Sequence, residues 1–140
     1  LGSGPSTYLA QRLCNSGIEV GGMILQSAFL SAYRVAFDFR FTLPGDIMSN
    51  IDRMADINIP VFVIHGATDE VVPFTNGESL FFSINEEYRC KPLWLHHAGH
   101  NDIELVGLLQ NDIYHISIRN FFKEWVIKST NIHSNRMGAN

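Results

Sequence analysis

The 140-residue chain is 46% hydrophobic and 17% charged, enough apolar side chain to close one core and too little polar bias for a long disordered region. Its formal net charge of -4, with Lys and Arg scattered along the chain, supplies no basic surface for a phosphate backbone and argues against nucleic-acid binding. No apolar run reaches the about 20 residues that span a bilayer, and Cys14 and Cys90, with no Cys-x-x-Cys pair, read as two reduced thiols.

The opening Leu1-Gly2-Ser3-Gly4-Pro5-Ser6 has neither a basic region nor a signal-like apolar stretch and lacks an initiating Met, so it reads as an interior segment of a longer chain. Tyr8, Leu9, Leu13 and Cys14 recur at near-helical spacing between Pro5 and Gly17, which predicts a helix from about Pro5 to Asn15. Gly21 to Leu25 and Val61 to His65 are short apolar runs and read as buried strands, the second bounded by Pro60 and Gly66. Between them lies an excursion rich in aromatics (Phe29, Tyr33, Phe37, Phe39, Phe41), with Pro44-Gly45 and an amphipathic stretch around Ile51, Met54 and Ile57. It serves equally well as lid and core packing or as the wall of a pocket.

Thr75 to Ile84 reads as a helix, and Pro92 to His96 as a third strand. Asp112 to Ile127 carries Ile118, Phe121, Phe122, Trp125 and Val126 on one broad apolar face. Ser129 to Asn140 is a polar tail after a single domain over residues 1–128. Strands alternating with helices predict an α/β fold: about three parallel strands, right-handed crossovers, helices on both faces, and ligands at the carboxyl ends of the strands.

Two loops at those ends carry the chemistry: His65-Gly66-Ala67-Thr68-Asp69-Glu70-Val71-Val72-Pro73 and His97-Ala98-Gly99-His100-Asn101-Asp102. One helix and one strand separate them, so Asp69 and His100 emerge on adjacent loops of one sheet edge. There a carboxylate orients an imidazole that takes a proton from a hydroxyl nucleophile. Glu70 and Asp102 are the competing acids, and Asp102 is better placed to hold the histidine loop through turn hydrogen bonds. His65 reads as a packed strand end, and His115 and His133 as surface residues. His96, His97 and His100 invite comparison with a zinc site, but successive strand residues point to opposite faces and no further carboxylate or thiol group completes a ligand set. Ser3 and Ser6 fail as nucleophiles of a G-x-S-x-G turn. Ser3 is flanked by Leu1 and Pro5, while Ser6 has Tyr8 in place of the second glycine and no strand upstream.

The paired loops resemble the acid loop and the histidine loop that end α/β-hydrolase domains. In that fold the order is Ser, then Asp or Glu, then His. Leu1-Gly2 matches the last two positions of G-x-S-x-G, which implies a nucleophile immediately before Leu1 and the Leu1 N–H as one oxyanion donor. More narrowly, Ser27-Ala28-Phe29, Arg34-Val35-Ala36-Phe37, His65-Gly66 with Asp69-Glu70-Val71, and His100-Asn101-Asp102-Ile103-Glu104 are similar to the protein depalmitoylases, acyl-protein thioesterases of the α/β-hydrolase superfamily. The resemblance runs over roughly residues 1 to 127. It implies hydrolysis of acyl esters or thioesters, of acylated protein or small esters, by a Ser-Asp-His triad with no cofactor and no metal.

The same resemblance implies a cytoplasmic location, with membrane association through an amino-terminal anchor that this chain lacks. It also implies a partner for the open sheet edge, either the amino-terminal half of the domain or a second copy. A serine peptidase, a small-ester esterase and a non-catalytic binding module or pseudoenzyme share the pattern and stay open at this level.

Overall fold

A computed structural model describes residues 2–31 and 48–127. Leu1, Tyr33, Arg34-Val35-Ala36-Phe37, Phe39, Phe41, Pro44-Gly45, His133 and the polar tail lie outside the described residues. In chain order come α1 (Ser3–Asn15), β1 (Met23–Gln26), α2 (Asn50–Arg53) running into a 3-10 turn (Met54–Asp56), and β2 (Val61–Gly66). They are followed by α3 (Phe74–Ser83), a 3-10 turn (Glu86–Tyr88), β3 (Leu93–Leu95), α4 (Ile103–Leu109) and α5 (Ile113–Phe121), which continues as a π-helical turn (Phe122–Val126).

The three strands are parallel in the order β1-β2-β3, with Met23 beside Val61 and Ile64 beside Leu93. Every residue of β2 is buried, as a central parallel strand covered on both faces requires. Alternation along the strands sorts the apolar side chains into two cores. Met23, Leu25, Val61 and Val63 face one side, where Ala10 of α1, Met54 and Leu80 of α3 close over them. Phe62, Ile64, Leu93 and Leu95 face the other, beneath Ile103 of α4 and Phe121 of α5. Phe62 and Phe121 stack with ring centroids 5.6 Å apart. Each fully buried aliphatic or Phe side chain contributes roughly 1.5–3 kcal/mol, so the central strand is the main anchor of the sheet.

Local signals account for the element ends. At the end of α1, Gly17 takes a left-handed φ of +68°, its N–H donates to the Cys14 carbonyl, and the Ile18 N–H reaches back to the Leu13 carbonyl. This paired bonding satisfies the orphan carbonyls of the last turn. Two features depart from expectation. Residues 103–109 form a helix not predicted from the sequence, because Gly107 lowers helix propensity and Leu105, Leu108 and Leu109 are exposed. Gly107 is nonetheless needed there: a Cβ would lie 2.5 Å from the Tyr114 Cβ, so glycine lets α4 and α5 cross closely. The expected single helix from Asp112 to Ile127 is also divided. It starts at Ile113 after left-handed Asn111 and Asp112 and widens into the π-helical turn from Phe122.

Gly66 ends β2 where the next loop must pass beneath the histidine loop. A Cβ on Gly66 would sit 2.2 Å from the Ala98 carbonyl oxygen, a backbone atom that cannot swing aside. Gly66→Ala in the full-length protein is therefore expected to lower stability by about 1–3 kcal/mol, the usual cost of overpacking. Urea denaturation checks this; an unchanged midpoint would show that the two loops approach less closely than the structure places them.

Candidate active site

The carboxyl ends of β2 and β3 are joined by backbone hydrogen bonds before either functional side chain appears. The Ala67 N–H donates to the Leu95 carbonyl at 2.9 Å, and the Ala98 carbonyl accepts from both the Thr68 N–H (3.1 Å) and the Thr68 Oγ1 (2.9 Å). The acid loop and the histidine loop are thus one hydrogen-bonded unit. From it, Asp69 and His100 meet: His100 Nδ1 donates to Asp69 Oδ2 at 2.8 Å. The other carboxylate oxygen, Oδ1, accepts from the backbone N–H groups of Val71 (2.9 Å) and Val72 (2.8 Å). This is the turn a short acidic side chain makes with its own following backbone. The Asp69 side chain is fully buried, whereas His100 is 29% exposed.

Burial alone would push the Asp69 carboxyl up, but the hydrogen bonds from the Val72 N–H, His100 and the Val71 N–H outweigh it and hold the group below its ordinary value. Asp69 is therefore a carboxylate at neutral pH. With Nδ1 committed to that carboxylate, the neutral His100 ring carries its lone pair on Nε2.

His65 also reaches this carboxylate. Its ring is fully buried, with Nε2 3.0 Å from the Val72 carbonyl oxygen and 3.5 Å from Asp69 Oδ2. Burial lowers its proton affinity, the Val72 carbonyl and Asp69 work against that, His100 adds to it, and the net direction is down. His65 is neutral at pH 7. Its packed setting was legible in the sequence; its approach to Asp69 was not, because a strand residue four positions before an acid gives no signal of contact.

The competing acids sit elsewhere. Asp102 Oδ1 accepts the Gly99 N–H at 2.6 Å, holding the histidine loop, and Glu70 is exposed. His96 and His97 are exposed, and His115 is exposed beside Asp112. Among the described residues no group of three or more His, Cys, Asp or Glu side chains is arranged to hold a metal ion. Burial pushes the Cys90 thiol up to about 12, so it is a packed neutral group at pH 7.

His100 borders a cavity of about 550 Å³ shared with Gly2, Ser3 and Ser6 of the first turn of α1, Ser27 after β1, and Phe29. Ser6 Oγ donates to the Gly2 carbonyl at 2.8 Å, which commits its proton within the first turn of α1, and Ser3 Oγ accepts from Asn50 Nδ2 at 3.2 Å. Asn50, fully buried, also accepts from Thr7 Oγ1 (2.6 Å) and donates to the Phe29 carbonyl (2.8 Å). This network fastens the start of α1 to the segment after β1 and sets one wall of the cavity. Nothing in the sequence pointed to it, since Asn50 lies 43 positions from Thr7.

The cavity thus lies at the strand ends, bordered by the start of α1 and by an imidazole held on a buried carboxylate. The chain folds as part of an α/β-hydrolase domain. Alpha/beta hydrolase domain-containing protein 17B from Homo sapiens is 42% identical over 112 residues, covering 76% of this chain and 35% of the relative. Protein 17C of the same name from Mus musculus is 40% identical over 110 residues, covering 75% and 31%. The chain thus spans 35% or less of these two relatives. Among solved structures, an esterase from Pyrococcus furiosus superposes with a TM-score of 0.59 at 16% identity, over 86% of this chain and 50% of the other. A meta-cleavage product hydrolase from Pseudomonas fluorescens gives 0.56 at 14% identity, over 85% and 61%. No protein-family model matches the chain.

Both shifted groups tie stability to pH in the same sense. Folded-state values below the ordinary 6.5 of His65 and 3.8 of Asp69 mean that the unfolded chain binds protons that the folded chain refuses. The stability from His65 is complete above 6.5 and is lost as pH falls through its lowered folded value; that from Asp69 is complete above 3.8 and is lost below it. Urea midpoints measured against pH should therefore fall in two stages. His65→Gln should erase the first and Asp69→Asn the second.

Proposed function

We propose that the full-length protein is a serine hydrolase of acyl esters or thioesters, with protein depalmitoylation as the activity implied by its resemblance to the depalmitoylases. One observation carries the reading: the buried Asp69 carboxylate holds the His100 Nδ1–H at 2.8 Å, which leaves Nε2 as the proton acceptor of a residue lining the cavity. The hydroxyl it serves is a serine immediately before Leu1, in the turn that opens α1. The relatives are named as α/β-hydrolase domain proteins, and one neighbour of the same fold is an esterase.

The chemistry follows from these roles. The serine Oγ attacks the acyl carbonyl carbon while His100 Nε2 takes its proton, and Asp69 stabilises the imidazolium. Charge develops on the carbonyl oxygen, and the Leu1 N–H is one donor to it. As the tetrahedral intermediate collapses, His100 returns the proton to the departing thiolate or alkoxide. A water then attacks the acyl-serine with His100 again acting as base, releasing the carboxylic acid and restoring the serine. No step calls for a cofactor.

The rest of the domain is the proposed partner of the β1 edge, with self-association through that edge as the competing occupant. Membrane association, in this reading, comes from an amino-terminal anchor on a cytoplasmic protein; no helix among the described residues is long and apolar enough to cross a bilayer.

Turnover of a thioester by the full-length protein tests the assignment. His100→Ala is expected to lower kcat by ~10⁴–10⁶-fold and Asp69→Asn by ~10⁴-fold with the fold retained. Glu70→Gln and Asp102→Asn should cost far less. If Asp102→Asn is the more damaging of the acid variants, Asp69 is the wrong acid.

A further inference from the structure

His65 is costlier to bury than packing alone requires. Its ring is enclosed on the α3 side of the sheet, with Phe74 edge-on at 6.0 Å between centroids and Gly77 against Nδ1. Among the described residues Nδ1 has no hydrogen-bond partner. An apolar side chain of similar size would fill the space without leaving a buried acceptor unsatisfied. The other ring nitrogen gives the reason for an imidazole. Nε2 faces two acceptors, the Val72 carbonyl oxygen at 3.0 Å and Asp69 Oδ2 at 3.5 Å. A lone pair aimed at two oxygens would be repelled by both, so the proton is on Nε2 and the lone pair on Nδ1.

Gly77 keeps that tautomer in place. A Cβ there would lie 2.3 Å from Nδ1, so α3 approaches the ring closely and offers no acceptor for a second proton. Among the described residues, the titratable groups that act on His65 are Asp69 from its own loop and His100 from the histidine loop, and α3 packs the uncharged Phe74 and Gly77 against the ring. The Val72 carbonyl that Nε2–H fastens belongs to the residue whose N–H donates to Asp69 Oδ1 at 2.8 Å. His65 thus ties down the α3 end of the same turn that aims the carboxylate.

We propose that His65 is a positioning residue of the hydrolase: its neutral Nε2–H clamps Val72 and completes the donor shell of the Asp69 carboxylate, keeping Oδ2 aimed at His100. This rests on the reading of Asp69 and His100 as the acid–base pair. Oδ2 faces two imidazole rings that are not equivalent: it accepts a hydrogen bond from His100, whereas His65, whose Nε2–H is bonded to the Val72 carbonyl, acts on it electrostatically. The 2.8 Å bond to His100 belongs to the reaction, and the 3.5 Å approach of His65 Nε2 places a second N–H dipole near the same oxygen.

The test uses the full-length protein with an acyl thioester and compares His65→Leu, His65→Gln and His65→Asn, with His100→Ala as the reference. Gln can bring an amide N–H close to where His65 Nε2 stands, whereas the shorter Asn cannot reach it. His65→Leu and His65→Asn should lower kcat at least tenfold with KM unchanged and move the acid limb of the kcat/KM profile to lower pH, because a loosened Asp69 supports the His100 imidazolium less. His65→Gln should restore both to near wild type.

Equal losses in all three variants with an unmoved acid limb would reduce His65 to packing and overturn the proposal, as would full activity of a folded His65→Leu. Should the variants fail to fold, histidine nitrogen shifts by NMR on the wild type decide. They should show His65 as the neutral Nε2–H tautomer throughout the titration of His100, and an Nδ1–H or cationic ring there would overturn the proposal. An active His100→Ala would remove the acid–base reading and this one together, whereas an inactive His100→Ala beside an unaffected His65→Leu removes this one alone.

Discussion

A carboxylate taken out of water sets the terms for this structure. Asp69 has no exposed side-chain surface, and an isolated buried carboxylate would take up a proton rather than stay charged. It stays an anion because both oxygens are supplied with donors, Oδ1 by the Val71 and Val72 amides and Oδ2 by His100. Three hydrogen bonds to one ionised group outweigh its desolvation, and two of the three come from backbone that the acid itself folds around. The same contacts orient His100, since an imidazole donating from Nδ1 to a fixed anion has one way to present Nε2.

The fold is arranged to keep those donors still. Parallel pairing brings the ends of β2 and β3 side by side, and Thr68 bonds twice to the Ala98 carbonyl so that the two loops move together. Gly66 permits that approach, and Asp102 closes the histidine loop through the Gly99 N–H. Beneath them the six buried residues of β2 fix the strand from which the acid loop springs. On the far side of the cavity, the Thr7–Asn50 hydrogen bond holds the beginning of α1. A hydrophobic sheet thus carries a polar edge whose acid and histidine loops are hydrogen-bonded to each other.

Much of this was legible from residue order alone. The strands announced themselves because parallel strands are apolar on both faces, and Val61-Phe62-Val63-Ile64 between Pro60 and Gly66 leaves little room for another reading. The meeting of Asp69 with His100 followed from topology: one crossover between two strand ends places their loops together. What escaped had physical reasons. α4 was hidden by Gly107, which is there for helix crossing and weakens the local helical signal, and by leucines that face outward. The π-helical turn at Phe122–Val126 follows an unbroken apolar pattern that an ordinary helix would also produce. Asn50 acts across the fold through Thr7, and His65 acts through the Val72 carbonyl seven positions on; contacts of single polar residues have no periodicity to read.

In the proposed mechanism the Asp69–His100 pair serves a serine at the turn into α1. Labelling the full-length protein with a fluorophosphonate and locating the adduct by tandem mass spectrometry addresses it directly. One adduct is expected, on the serine immediately before Leu1, abolished by His100→Ala. An adduct on Ser3 or Ser6, or labelling that persists without His100, would contradict it.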